Sequence, residues 1–278
     1  MKRWAIVLML LGLLKLPCSD SEQPKYIALT FDDGPSGKYT ARLLDGLASR
    51  EVHATFFLCG YRVEQYPELT ARIASEGHEI GTHGDAHAFF TALSREGVCE
   101  DLARAAEKIK AAGGGEPKLL RPPGGLYDAE ALRRTVCAEL PIILWSIDSG
   151  DWHRSDSDGV AQSIIRQAKS GDIVLMHDMS DSSVSAALKT VDALEAEGFV
   201  FVTVSELAFL ARQEMQGGEV YHRFSFRIPA KKASISERSA ATEPCAKVGF
   251  PPPRPCSAPF SARTVSRRSP SGAPMAYL

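Results

Sequence analysis

The chain has 278 residues, 44% hydrophobic and 24% charged, with a formal net charge of −2. That balance is ordinary for a soluble globular protein, and the length suffices for one large α/β domain or two small ones. Six scattered cysteines (Cys18, Cys59, Cys99, Cys137, Cys245 and Cys256) form no C-x-x-C pair, so neither a thiolate zinc site nor a thioredoxin-like motif is suggested.

In chain order, Lys2-Arg3 precedes an apolar run over 4–14 that is interrupted by Lys15. The run is too short for a comfortable membrane span and reads as a secretory signal over 1–19, or as an uncleaved N-terminal anchor. Either outcome places the protein outside the cytoplasmic membrane, as a secreted or cell-surface protein. Membrane contact is then expected only through this segment, because no other stretch is apolar enough to span. Export permits disulfides, but Cys59, Cys99 and Cys137 read as small buried residues.

From about 25 to 215, strand and helix patterns alternate. Strands are expected at 26–33, 53–59, 79–82, 119–121, 142–147, 172–176 and 199–204. Helices are expected at 40–49, 63–76, 94–112, 128–139, 158–169 and 182–197, with a short final helix after the last strand. Unbroken alternation predicts an α/β fold with a parallel sheet, closed or nearly closed into a barrel, with functional groups at the strand C-terminal ends. Beyond Glu219 the composition changes. From Glu219 onward, ten Lys and Arg stand against three Asp and Glu, and nine of the 17 prolines fall there. Residues 219–278 therefore read as a basic, Pro-rich tail outside the fold.

The chemistry-bearing residues gather at the expected strand ends. The first strand closes on Asp32-Asp33-Gly34-Pro35. Successive strand side chains face opposite ways, so both carboxylates can aim at one point only if the chain bends, which Gly34 permits. The third strand leads into His83-Gly84-Asp85-Ala86-His87, the fourth into Arg121-Pro122-Pro123-Gly124-Gly125, the fifth into Asp148, Asp151 and Trp152, and the sixth into Leu175-Met176-His177. Two imidazoles four residues apart plus a carboxylate form a common ligand set for a catalytic divalent metal.

In this order, Thr-Phe-Asp-Asp-Gly-Pro, H-x-x-x-H, Arg-Pro-Pro-Gly-Gly, Asp-x-x-Asp-Trp and Leu-Met-His resemble the carbohydrate esterase family 4 polysaccharide deacetylases, the NodB homology domain. The resemblance covers roughly 25–210. It implies a distorted (β/α)7-type barrel with parallel strands and a metal-dependent amide or ester hydrolase site. Carried over, it makes Asp33, His83 and His87 the metal ligands, Asp32 the general base, and Arg121 the brace of that base. His177 becomes the general acid, oriented and charged by Asp148. Trp152 and Leu175 would wall the acetyl methyl. Pro123 and Gly124 would meet substrate, with a backbone N–H near Gly124 helping to hold the oxyanion.

The implied substrate is an N-acetylated polysaccharide, with cell-wall peptidoglycan first and chitin oligomers or acetylated xylan as alternatives. The implied cofactor is a divalent ion, zinc first, with cobalt or another divalent ion as alternatives. A non-catalytic glycan-binding domain on the same fold is the second reading. Neither a nucleic-acid nor a protein partner is implied. Two departures stand out: Gly84 replaces the usual Ser or Thr, with Asp85 as a candidate substitute, and Gly124 replaces a frequent aromatic, with Tyr127 as a candidate substitute. Asp151 reads as a loop-fixing residue, Asp178 as a solvated neighbour of His177, and His53 and His78 as structural.

Overall fold

A computed structural model describes residues 24–128 and 139–226. The expected helix over 128–139 falls almost wholly on residues outside that description.

The central strand is β1 (Lys25–Asp32), whose last six residues are buried on both faces. It pairs in parallel with β2 (Thr55–Leu58) on one side and with β6 (Ile173–His177) on the other, and near its start with β7 (Phe199–Phe201). β3 (Glu79–Thr82) continues the sheet beyond β2, and β5 (Ile147–Asp148) continues it beyond β6. Near-continuous apolar runs such as Ile-Ala-Leu in β1 are what strands covered on both faces require.

Helices cover the outside. In α1 (Gly37–Ala48), Thr40, Leu43, Leu44 and Leu47 form the buried stripe, at the spacing of one helix face. Ser94 caps α4 (Arg95–Ala111) by accepting from the Gly97 N–H, as its position in the sequence predicts. α5 (Ser157–Gln167) and α6 (Asp181–Ala196) are capped in the same way by Asp156 and Ser180. Thr203 and Glu206 form a capping box on α7 (Val204–Leu210). The helix expected over 63–76 is two helices, α2 (Gly60–Gln65) and α3 (Pro67–Ser75). Pro67 has no N–H and occupies the first turn of the second, so the first must end before it.

Two expected strands take a different form in the structure. Residues 119–121 make only isolated bridges, from Thr82 to Leu120 and from Leu120 to Ile142. The strand expected over 142–147 is split. Its first half, β4 (Ile142–Ile143), pairs toward Leu120 and β8 (Val220–Tyr221), while its second half, β5, pairs with β6. The ladder is interrupted between the halves, so the described strands form a mostly parallel α/β sheet that curls like a (β/α)7-type barrel without a continuous closing ladder.

The tail boundary expected at 219 is wrong for its first residues. β8 pairs with β4, and Phe224 is wholly buried against Phe57, Ile143 and Ile173. The Phe224 N–H donates to the Gly171 carbonyl at 2.8 Å. Gly171 adopts φ +93°, and a Cβ there would lie 1.8 Å from the Phe224 carbonyl oxygen, so only glycine fits. The basic, Pro-rich composition masked one short apolar strand. Phe224→Ala is expected to cost about 3–5 kcal/mol and lower Tm by about 10 °C in a thermal melt. Cys99 is also not the free buried thiol expected from sequence, because it is disulfide-bonded. Cys59 is free and buried, as expected, and Cys137 lies outside the described residues.

Candidate active site

The site is built at the C-terminal end of β1. Asp32 is its last residue, and Asp33 follows with φ +69°. That left-handed step is the bend two adjacent carboxylates need to face one space. Asp32 is buried, and its Oδ1 accepts from the Arg121 Nη1 at 2.7 Å. Arg121 is itself fully buried, donating to Thr30 Oγ1 and to the carbonyls of Ile143 and Leu144. Its guanidinium lies 4.1 Å from the centre of the Phe57 ring. Burial pulls the guanidinium's pKa down, and Asp32 works against that fall. A buried guanidinium fixed in this way by several acceptors and a stacked ring holds its carboxylate in one orientation.

The H-x-x-x-H segment follows β3 and brings both imidazoles to Asp33. Asp33 Oδ1 lies 3.4 Å from His83 Nε2 and 3.1 Å from His87 Nε2. His83 Nδ1 lies 2.7 Å from the Arg121 carbonyl, which only an N–H can satisfy, so Nε2 is the nitrogen left to ligate a cation. Burial pushes the Asp33 pKa up, but the neighbouring imidazoles of His83 and His87 pull harder, and the carboxyl is held well below the usual range. Asp33 raises the His87 pKa in turn. Three donor atoms within 4.8 Å of one another, with Asp33 Oδ1 buried and lacking a hydrogen bond, fit a divalent cation with open coordination positions.

Opposite stands His177, the last residue of β6. The β1–β6 register pairs Asp32 with His177, so strand pairing alone sets them side by side. His177 Nε2 lies 4.0 Å from Asp33 Oδ2. Its charge partner is Asp151, which corrects the expectation of Asp148. Asp151 accepts from the His177 Nδ1–H at 2.8 Å and from its backbone N–H at 2.9 Å. Asp148 is exposed, and its carboxylate accepts the Gly150 N–H at 2.9 Å, closing a local turn. Gly150 then takes φ +66°, and the chain turns Asp151 inward, where Ser149 Oγ donates to it at 3.0 Å. Burial works to lower the His177 pKa, but Asp151 and the nearby Asp32 and Asp33 push it up to about 9. His177 holds the Asp151 carboxyl below its ordinary value against the upward pull of burial. The available sequence signal was Asp151's place immediately before Trp152.

The remaining expected contacts divide. Leu175 is almost fully buried in β6, and Pro123 is buried in the Arg-Pro-Pro turn. Trp152 is 68% exposed and lies against His153, its ring tilted at 59° with 4.4 Å between ring centres. Gly124 adopts φ +64°, and a Cβ there would meet Phe89 Cε1 at 2.9 Å. Phe89 lies two residues beyond His87 and is the ring that covers Gly124, while Tyr127 faces His222. Asp178 is not solvated. It is fully buried beside Thr40, which donates to it, and burial pushes its pKa up to about 6. His53 and His78 pack against each other away from this site, and the His78 Nδ1 accepts from the Ala54 N–H.

Residues 19–142 match the protein family described as polysaccharide deacetylase. The chain is 38% identical over 188 residues to a peptidoglycan-N-acetylglucosamine deacetylase of Bacillus cereus, a match covering 66% of this chain and 88% of that protein. It is 36% identical over 203 residues to the peptidoglycan-N-acetylmuramic acid deacetylase PdaC of Bacillus subtilis, covering 72% of this chain but 43% of that longer protein. Among solved structures, T48 deacetylase with substrate superposes with a TM-score of 0.67 at 39% identity, over 71% of this chain and 96% of that one.

Proposed function

From the premise that this chain belongs to the polysaccharide deacetylase family, we propose that it removes acetyl groups from the N-acetylated sugars of a polysaccharide, with cell-wall peptidoglycan the substrate. The observation that carries this reading is the arrangement around Asp33. A cation-ready set of Asp33, His83 and His87 lies between a carboxylate held by Arg121 and an imidazole held by Asp151.

Amide hydrolysis needs an attacking water, stabilisation of the developing oxyanion, and a proton for the leaving nitrogen. Asp33, His83 and His87 would hold a divalent ion, with zinc the leading candidate. Such an ion polarises the acetyl carbonyl and lowers the pKa of water. Asp32 takes the proton of the attacking water, its orientation fixed by the Arg121 contact. His177 remains protonated at neutral pH because Asp151 stabilises the imidazolium, and it gives its proton to the departing amine. The backbone N–H near Gly124 would help hold the oxyanion. Leu175 and Trp152 supply the apolar wall for the methyl, and the exposed ring of Phe89 supplies a second face for the sugar.

A secreted or surface location accords with a wall substrate and with the N-terminal apolar run. Among the described residues, no helix is long and apolar enough to cross a membrane.

Incubating the metal-loaded protein with peptidoglycan is expected to release acetate, and chelator is expected to abolish the release. Equal release in both arms overturns the cation's role. No release from peptidoglycan, chitin oligomers or acetylated xylan would leave the glycan-binding reading in its place.

A further inference from the structure

We propose that Asp101, on α4 and outside every sequence motif of the site, is the positioning residue that fixes the His83–His87 loop in its cation-holding shape. This rests on the metal-site reading above. The loop can be followed through its backbone hydrogen bonds. The His83 N–H donates to the Leu58 carbonyl at 2.9 Å, which anchors the first ligand to β2. The Gly84 and Asp85 carbonyls accept from the Gly60 and Tyr61 N–H groups at the start of α2, each at 3.0 Å. The Gly84 N–H donates to Thr82 Oγ1 at 3.2 Å. Two amides between the ligands then need an acceptor, those of Asp85 and Ala86. Asp101 takes both, with Oδ2 at 2.7 Å from Asp85 N and Oδ1 at 3.2 Å from Ala86 N.

Asp101 is 2% exposed and its bond to the Asp85 amide is buried, so water does not offer that amide an alternative partner in the folded state. Converging backbone N–H groups of this kind suit an anion. Its ion-pair partner is Arg104, one turn along, at 3.5 Å. Asp85 does not fill this role, since its own carboxylate faces Lys108 and Arg104 instead.

The backbone is shaped around Asp101. Gly84 has φ +77°, and a Cβ there would lie 2.5 Å from Asp101 Oδ2. His87 itself sits at φ +54°, a conformation a non-glycine residue keeps only when its surroundings impose it. Asp101 bonds the two residues just before His87, so it imposes that conformation and with it the spacing of His87 from Asp33. Without it the amides must turn to solvent, and His87 leaves the set.

The test uses the full chain and Co²⁺ alone as the probe, titrated in competition with a chromophoric chelator at a temperature where each variant is folded by circular dichroism. Asp101→Ala is expected to weaken Co²⁺ binding by about 10–100-fold. Asp101→Asn keeps one acceptor oxygen and is expected to fall between Asp101→Ala and wild type. Phe224→Ala, destabilised away from the loop, is expected to retain the wild-type Kd. An unchanged Kd in Asp101→Ala, or in Asp101→Asn should the alanine variant not fold, overturns the proposal. A weakened Kd in Phe224→Ala overturns it too, because loss of stability alone would then account for the effect. If the wild-type protein binds no Co²⁺, the metal-site reading itself falls; if it binds and the Asp101 variants bind equally well, only the role of Asp101 falls.

Discussion

Asp32→Asn is expected to lower kcat for deacetylation by about 10²–10⁴-fold, the range a lost general base removes. The substitution is nearly isosteric. Its amide oxygen can still accept from the Arg121 Nη1, now 2.7 Å from Asp32 Oδ1. The other oxygen, 3.8 Å from His83 Nε2, becomes an NH2 group and can take no proton. Arg121 keeps Thr30 Oγ1 and the carbonyls of Ile143 and Leu144, so the variant is expected to fold. It loses stability all the same, because a fully buried guanidinium then lacks its counter-charge. Asp33, His83 and His87 are untouched, so Co²⁺ affinity should stay close to wild type. Acetate-release kinetics alongside a Co²⁺ titration separate the outcomes. Wild-type kcat in the variant would show that another group takes the proton.

Asp151→Asn is expected to be nearly as damaging and to leave a signature in the pH profile. His177 is held protonated up to about 9, against an ordinary value of 6.5, because Asp151 together with Asp32 and Asp33 outweighs the effect of burial. The acid must carry its proton to act, so wild-type kcat/KM should fall only as pH rises through about 9. In Asp151→Asn that hydrogen-bonded charge is gone while burial and the charges of Asp32 and Asp33 remain, so this descending limb should move to lower pH. At pH 8 the loss should be about 10²-fold or more, and at pH 6 smaller. Asp148→Asn is the control. Its exposed carboxylate accepts only the Gly150 N–H among the described contacts, and asparagine does this equally well. Its pH profile should match wild type. A descending limb that shifts in Asp148→Asn and not in Asp151→Asn would reverse the two assignments.

These two aspartates show where sequence reading stops. Both belong to one short motif, and the family resemblance assigns the role to Asp148, the nearer of the two to the strand end. The choice is made by one backbone step. Asp148 is consumed by a turn to Gly150, whose positive φ sends the chain back and turns Asp151 toward His177. A sequence carries no sign for that step, since glycine permits either hand. The misplaced tail boundary has a similar cause. Val220-Tyr221 is too short to announce a strand, and its pairing partner β4 lies far back in the chain.

The sequence by itself determined the strand–helix alternation, the helix caps, and the residue types gathered at the strand ends. Those are local properties, readable from apolar spacing and from motifs a few residues long. Only the tertiary structure decided which groups meet. The β1–β6 register set Asp32 beside His177, the buried arginine from 121 reached back to β1, and Asp101 on a distant helix took up the amides of the ligand loop. Each of these joins residues at least 15 positions apart. Their distance is fixed by strand register and helix packing, which act between segments and leave no trace within either one.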